Sequence, residues 1–334
     1  MLAVLLLAVA PAGAEEGAAP PQAALRDAAF LEAGAWLGLS EVPLVPVGQP
    51  GEAQVRAAIA ALAGLPSPWA ETEPIRWGDV EPRPPSSLLA GYDWRALDAT
   101  VAALHAAGCL PRLLLSPACA WAEVPEGQAP YAAFLAERLP AAEAQAALRA
   151  ASGTLPPRAD AWEGWQRFVR AVVERYDGDG ERDMPGLLRP VLELQVLDQL
   201  QRGTRWRGSL DQYQRLLHTA RAAAGEAHPL ARVAHAALDP AGLLRAGEGE
   251  PSRWPERLQA SVPALPAAAR VEATRGLEML RGALGWPALA DAFPVLGSGS
   301  LAEDRRNLAA CRELLDAAGG AQVPVWLVQG PMRR

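Results

Sequence analysis

The chain has 334 residues, 50% of them hydrophobic and 21% charged, which is enough apolar material for one large domain or two ordinary ones and is not the make-up of a disordered chain. Its net charge of −7 argues against nucleic acid as a partner, because phosphate binding needs a basic face. Three cysteines (Cys109, Cys119 and Cys311) make neither a CxxC pair nor an even framework, so they read as buried thiols rather than as disulfides or a zinc site.

The N-terminus begins with an apolar run, Leu2 to Ala10, followed by the small-residue pattern Ala12-Gly13-Ala14. In form this is a secretory signal peptide without a basic n-region, and the run has about half of the ~20 residues that a membrane span needs. The expected organisation is therefore a signal over residues 1–14, an Ala/Pro/Glu-rich linker over 15–34 and one domain over 35–334. The mature protein is expected to be secreted, periplasmic or held in the cell envelope, with no transmembrane span. Beyond the linker, apolar strand-like runs are expected at Trp36–Leu39, Ile75–Trp77, Leu110–Leu115, Val191–Leu197, Arg232–Leu238, Ala292–Leu296 and Val325–Gln329. Helical patterns fall between them, at Glu52–Ala63, Trp94–Ala107, Trp162–Tyr176, Leu210–Gly225, Val271–Leu284 and Leu301–Ala318. Within the second of these, Leu97, Val101 and Leu104 share one face at steps of four and three. Strands alternating with helices imply parallel pairing, and their apolar character fits strands covered on both sides. The fold class is α/β, a TIM-type (β/α) barrel whose eighth strand is not evident. No Gly-rich phosphate loop follows a strand, which argues against the doubly wound rival. Two long insertions, Ala120–Pro157 and Pro240–Pro266, follow strand C-terminal ends, where such a barrel builds its site.

Five segments then resemble the clan of retaining glycoside hydrolases with (β/α) barrels. They are RWGDVEPRP with YDWRALDATVAALHAAG (Arg76 to Gly108), LLLSPACAWA (Leu113 to Ala122), WEGWQRFVRAVVERYDGDGERDMPGLLRPVLELQVLDQ (Trp162 to Gln199), WRGSLDQYQRLLHTARAAAGEAHPLARV (Trp206 to Val233) and VPVWLVQGP (Val323 to Pro331). In family order they span about residues 76–331, most of the chain. The resemblance implies an acid/base Glu, preceded by Asn, at the end of the fourth strand and a nucleophile Glu at the end of the seventh. Here those positions read Asp198-Gln199 and Gln329. The retaining mechanism uses two carboxylates roughly 5–5.5 Å apart, one as acid/base and one as nucleophile. A glutamine amide can neither protonate a leaving oxygen nor form the glycosyl ester, yet it keeps the shape of Glu and can hydrogen-bond sugar hydroxyls. The pocket His that the family carries near strand six is also absent from PVLGSGS (Pro294 to Ser300).

The expected function is a glycosidase-like barrel that lacks catalysis at the family positions and binds a glycan, with Trp77, Trp121, Asp198, Gln199, Trp206 and Gln329 as its contacts. Trp326 is a further candidate platform, since sugars lay their C–H faces on aromatic rings. One alternative is an active hydrolase using the unmatched carboxylates Asp198, Glu81 or Asp239, with Glu41 after strand one as another acidic group; in the plainer reading these are loop residues or helix caps. The other is a scaffold barrel without a sugar site. His235 lies inside an apolar strand and reads as a core residue. The turn DGDGERD places Asp177, Asp179 and Asp183 at alternating positions one, three and seven, a partial match to a calcium loop that lacks the Glu at position twelve, where Leu188 stands. Calcium is thus the one cofactor considered.

Overall fold

The structure, a computed structural model, describes residues 37–63, 69–86, 91–200, 202–203, 205–238, 267–296 and 301–329. Its strands are β1 (Leu37–Val42), β2 (Trp69–Thr72), β3 (Ile75–Arg76), β4 (Leu110–Ser116), β5 (Glu193–Val196), β6 (Arg232–Ala234), β7 (Phe293–Leu296) and β8 (Val325–Gln329). All neighbours are parallel, in the order β6-β5-β4-β2-β1-β8-β7. β2 and β3 both lie along β4, with Trp69 opposite Leu110 and Ile75 opposite Leu115, so they are two pieces of one stave. The two ends of the order also meet. Ala234 bridges Ala292 and Leu238 bridges Val295, and the Leu238 amide donates to the Pro294 carbonyl at 2.9 Å. Among the described residues, seven staves therefore form a closed α/β barrel in which β8 pairs directly with β1.

Closure decides which way each side chain points. Leu113, Leu115, Leu194, Val196, Val233, Phe293 and Val295 belong to the core shared with the helices. The alternation of a strand then turns Arg112, Glu193 and Gln195 towards the barrel interior. The helical layer is α1 (Glu52–Ala60), the single turn α2 (Trp77–Val80), α3 (Arg95–Ala106), α6 (Trp162–Tyr176), α7 (Leu210–Ala227), α8 (Ala267–Leu284) and α9 (Leu301–Ala317). The insertion after the third stave supplies α4 (Pro130–Arg138) and α5 (Ala141–Ala150). Helix α6 buries Trp165, Phe168, Val169, Val172, Val173 and Tyr176, an apolar stripe at steps of three and four. Helix α7 starts at a capping box: the Gln212 amide donates to Ser209 Oγ, and the Ser209 amide donates back to Gln212 Oε1. No helix among the described residues is long and apolar enough to cross a membrane. All three cysteines are free and buried.

Three details of the sequence reading are corrected. The first strand runs Leu37–Val42 rather than Trp36–Leu39, and β5 stops at Val196 because Leu197 turns left-handed at φ 63°. β2 was not expected at all. Its Glu71 is buried inside the barrel opposite Arg112. The insertion Pro240–Pro266 lies outside the described residues.

One close approach sets how α6 sits on the barrel. A Cβ added at Gly164 would lie 2.8 Å from two carbons of the Trp77 ring, which is itself fully buried. Ala is the better helix former by about 1 kcal/mol, but overpacking a rigid buried ring costs about 1–3 kcal/mol, so the clash outweighs the propensity gain. Gly164→Ala is expected to lower the melting temperature; an unchanged or raised value in a thermal denaturation scan would show that the helix can shift.

Candidate functional site at the barrel mouth

The C-terminal ends of the staves carry the family positions. The Gln199 amide donates to the Ala237 carbonyl at 2.9 Å, and Asp198 bridges Ala237. Every strand neighbour is parallel, Gln199 lies three residues past the end of β5 and Gln329 ends β8. Gln199 and Gln329 thus stand at the same end, Gln329 being placed here by its backbone alone.

Backbone strain gathers at this end. Glu41 (φ 59°), Leu197 (φ 63°) and Gln199 (φ 44°) are left-handed although none is glycine, and they follow or end the first and fourth staves. Each such residue costs on the order of 1–3 kcal/mol and persists where the surroundings hold it, most often at functional sites. The Gln199 side chain is buried and its Nε2 donates to Asp198 Oδ2 at 2.9 Å. That bond orients the amide and leaves Gln199 Oε1 with no hydrogen-bond partner among the described residues.

Below the mouth lies a charged layer. Glu71 and Arg112 are each 3% exposed, with Arg112 Nη1 3.5 Å from Glu71 Oε2 and the guanidinium over the Trp69 ring at 5.8 Å. Burial pushes the Glu71 carboxyl up to about 7; Arg112 opposes the shift, and the carboxylates of Asp198 and Glu41 add to it. Asp198 and Glu41 thus both act on Glu71, and Glu41 is in turn paired with Arg205 at 3.3 Å. Glu71 and Arg112 were missed from sequence. The available signal was a charged residue in the middle of an apolar strand, which has to find a partner when the strand is buried.

Other candidates lie elsewhere. Glu81 is buried in the helical layer, where Trp77 Nε1 donates to it at 2.7 Å and Arg167 Nη2 at 3.0 Å. It holds α2 to α6 and has no place in the mouth, so the expectation of a catalytic role is withdrawn. Trp77 and Trp206 have no exposed surface, so neither offers a face to a sugar. Trp77 packs among Trp165 and Phe168, and Trp206 packs against Tyr213 with its Nε1 donating to the Ser209 carbonyl. Trp121 is half-buried, edge-on to Trp77, with its Nε1 donating to the Glu81 carbonyl at 2.9 Å. Asp239 lies outside the described residues. His235 is sandwiched between Tyr213 and Phe293, and burial pushes it down to about 4, so it is a neutral core residue at physiological pH.

The acidic turn does bring its three carboxylates together: oxygens of Asp177, Asp179 and Asp183 lie within 4.8 Å of one another. These carboxylates also accept backbone amides. Asp183 takes Gly178 N at 2.9 Å and Gly180 N at 2.7 Å, and Asp179 takes Glu181 N at 2.7 Å. Asp183→Ala is expected to lower stability by about 1–2 kcal/mol through these bonds, with or without calcium. A wild-type melting temperature that rises in millimolar calcium, against a variant that does not respond, would assign the turn to a cation instead.

No family model and no curated protein matches this sequence. Solved structures do match. A glucosidase from Croceicoccus marinus aligns at 15% identity and a TM-score of 0.52, covering 89% of this chain and 52% of that one. A GH39 enzyme from Xanthomonas axonopodis pv. citri gives 13% identity and 0.52, covering 90% and 52%. A monomeric β-xylosidase from Caulobacter crescentus CB15 gives 14% and 0.50, covering 88% and 52%. The chain spans about half the length of these structures. What they share with it is the glycosidase-type α/β barrel fold.

Proposed function

We propose that the barrel mouth binds a neutral glycan and does not hydrolyse it by the retaining route. The observation that carries this reading is Gln199. Its amide is buried at the end of the fourth stave, its backbone is strained, its NH₂ donates to Asp198, and its carbonyl oxygen has no hydrogen-bond partner among the described residues. A buried acceptor without a donor costs about 1–3 kcal/mol, and a sugar hydroxyl would recover that. The fold's relation to a glucosidase and a β-xylosidase supports gluco- or xylo-configured ligands. Gln199→Ala is expected to weaken binding of β-1,4-linked xylo- or gluco-oligosaccharides about tenfold by calorimetry. An unchanged affinity would contradict the assignment.

A second reading has its own support. Hydrolysis without a covalent intermediate needs one protonated and one ionised carboxyl, and the Glu71 carboxyl, pushed up to about 7, lies within electrostatic reach of Asp198. On that reading Asp198→Asn abolishes turnover; on ours there is no turnover to abolish. The proposal includes export: mature protein recovered from the envelope or medium should begin near Glu15, and N-terminal sequencing that finds Met1 intact would oppose it.

A further inference from the structure

A groove of about 560 Å³ opens on the outer wall of the barrel, between the loop that follows α2 and helices α3 and α6. Its size falls in the range of roughly 300–1,000 Å³ typical of small-molecule sites. Two half-buried rings line it, Tyr92 and Trp94, with centroids 5.1 Å apart and planes tilted by 37°. Trp94 is braced from behind by Tyr176, edge-on at 6.2 Å, so the pair forms a shallow, rigid V of aromatic surface.

The charges around the groove cancel. On the rim, Arg95 grips Asp93 through Nε at 2.9 Å and Nη2 at 2.5 Å, and both side chains stay open to water. At the back, Asp98 accepts from Arg175 Nε at 3.2 Å, Arg175 Nη2 at 2.6 Å and the Tyr176 hydroxyl at 2.8 Å. Arg175 also donates through Nη1 to the Asp183 carbonyl at 3.1 Å. Asp98 thereby accepts three hydrogen bonds and is neutralised by Arg175, and Arg175 is committed in turn. What remains is apolar ring surface beside one exposed pair that offers a donor and an acceptor side by side. That combination suits a ligand with apolar C–H faces and adjacent hydroxyls. A purely apolar partner would have to strip water from the rim pair without replacing its hydrogen bonds.

We propose that this groove is a binding site for a neutral oligosaccharide, separate from the barrel mouth, in which sugar rings rest on Tyr92 and Trp94 and hydroxyls bond the Asp93–Arg95 pair. The proposal does not depend on the mouth binding sugar. Gly91 supplies a clean probe. A Cβ built there meets nothing within 4 Å and its backbone is not left-handed, so a side chain can be added at this lining position without a clash at its root, and a large one is expected to occupy the groove.

The experiment is hydroxyl-radical footprinting of the full chain with millimolar xylohexaose and, separately, cellohexaose. With at least one of the two, oxidation of Tyr92 and Trp94 is expected to fall severalfold in the wild type and in Gln199→Ala. Gly91→Trp should lose that protection while keeping the wild-type melting temperature. Should Gly91→Trp melt early, the exposed rim variant Arg95→Gln serves the same purpose and should lose protection. Unchanged oxidation of both rings with both sugars, or protection that persists when the groove is filled, overturns the site. Loss of protection in Gln199→Ala would show that the effect comes from the mouth, and would also overturn it.

Discussion

Replacing Arg112 by Met is expected to lower the unfolding free energy by about 3–5 kcal/mol at pH 8, and by much less at pH 5, because removing one partner of a buried pair leaves an uncompensated charge. Arg112 is 3% exposed, ion-paired to Glu71 and also within electrostatic reach of Glu193, so the variant strands carboxylates inside the barrel. The pH dependence follows from Glu71. Its folded carboxyl sits at about 7, above its ordinary value of 4.5, so the folded protein holds the proton more tightly than the unfolded chain. The stability this contributes is fully present below about 4.5 and is lost as pH rises through about 7, a span of about 3 kcal/mol by linkage. His235 acts the other way. Its folded value of about 4 makes its contribution present above its unfolded value and lost as pH falls towards 4. Comparing variants cancels that term. Glu71→Gln should flatten the fall in stability between pH 5 and pH 8, and Arg112→Met should steepen it. Urea denaturation at the two pH values checks both. Parallel slopes in wild type and Glu71→Gln would mean that Glu71 does not titrate in this range.

Wild-type protein should release no measurable aglycone from aryl β-glucosides or β-xylosides. General acid catalysis alone supplies about 10²–10⁴-fold, and the covalent route is lost as well, although the two losses need not add. Gln329→Glu alone restores a nucleophile position without an acid and should change little. Gln199→Glu combined with Gln329→Glu is the only pair of changes at the family positions expected to raise the rate above background. Robust wild-type turnover that disappears in Asp198→Asn would transfer catalysis to the Glu71–Asp198 pair.

Much of the barrel could be read from the chain because parallel strands buried on both faces leave apolar runs, and the covering helices leave stripes. Leu110–Leu115 and Trp162–Tyr176 carry those signals and form β4 and α6. β2 escaped because two of its four residues are polar, Glu71 and Thr72, and both are buried. Closure was equally hidden. It rests on bridges outside the regular ladders, Ala234 to Ala292 and Leu238 to Val295, which no local pattern announces. At the site, the position of Gln199 followed from motif order. The tryptophans were harder. Trp77, Trp121 and Trp206 all sit near stave ends in sequence, and only three-dimensional packing shows that two of them are sealed in the core while the third stays partly open. Glu81 was misplaced for a similar reason: following a strand does not fix which side of the barrel wall a side chain takes, and here it pairs with Arg167 on α6.

Binding and cleavage at the mouth can be read in one tube by following xylohexaose and cellohexaose with the wild-type protein by saturation-transfer NMR over a day. The proposed function predicts saturation transfer to at least one sugar, weakened in Gln199→Ala, with no new reducing-end anomeric signals. Steady growth of reducing ends that stops in Asp198→Asn, or saturation transfer indifferent to Gln199, would contradict it.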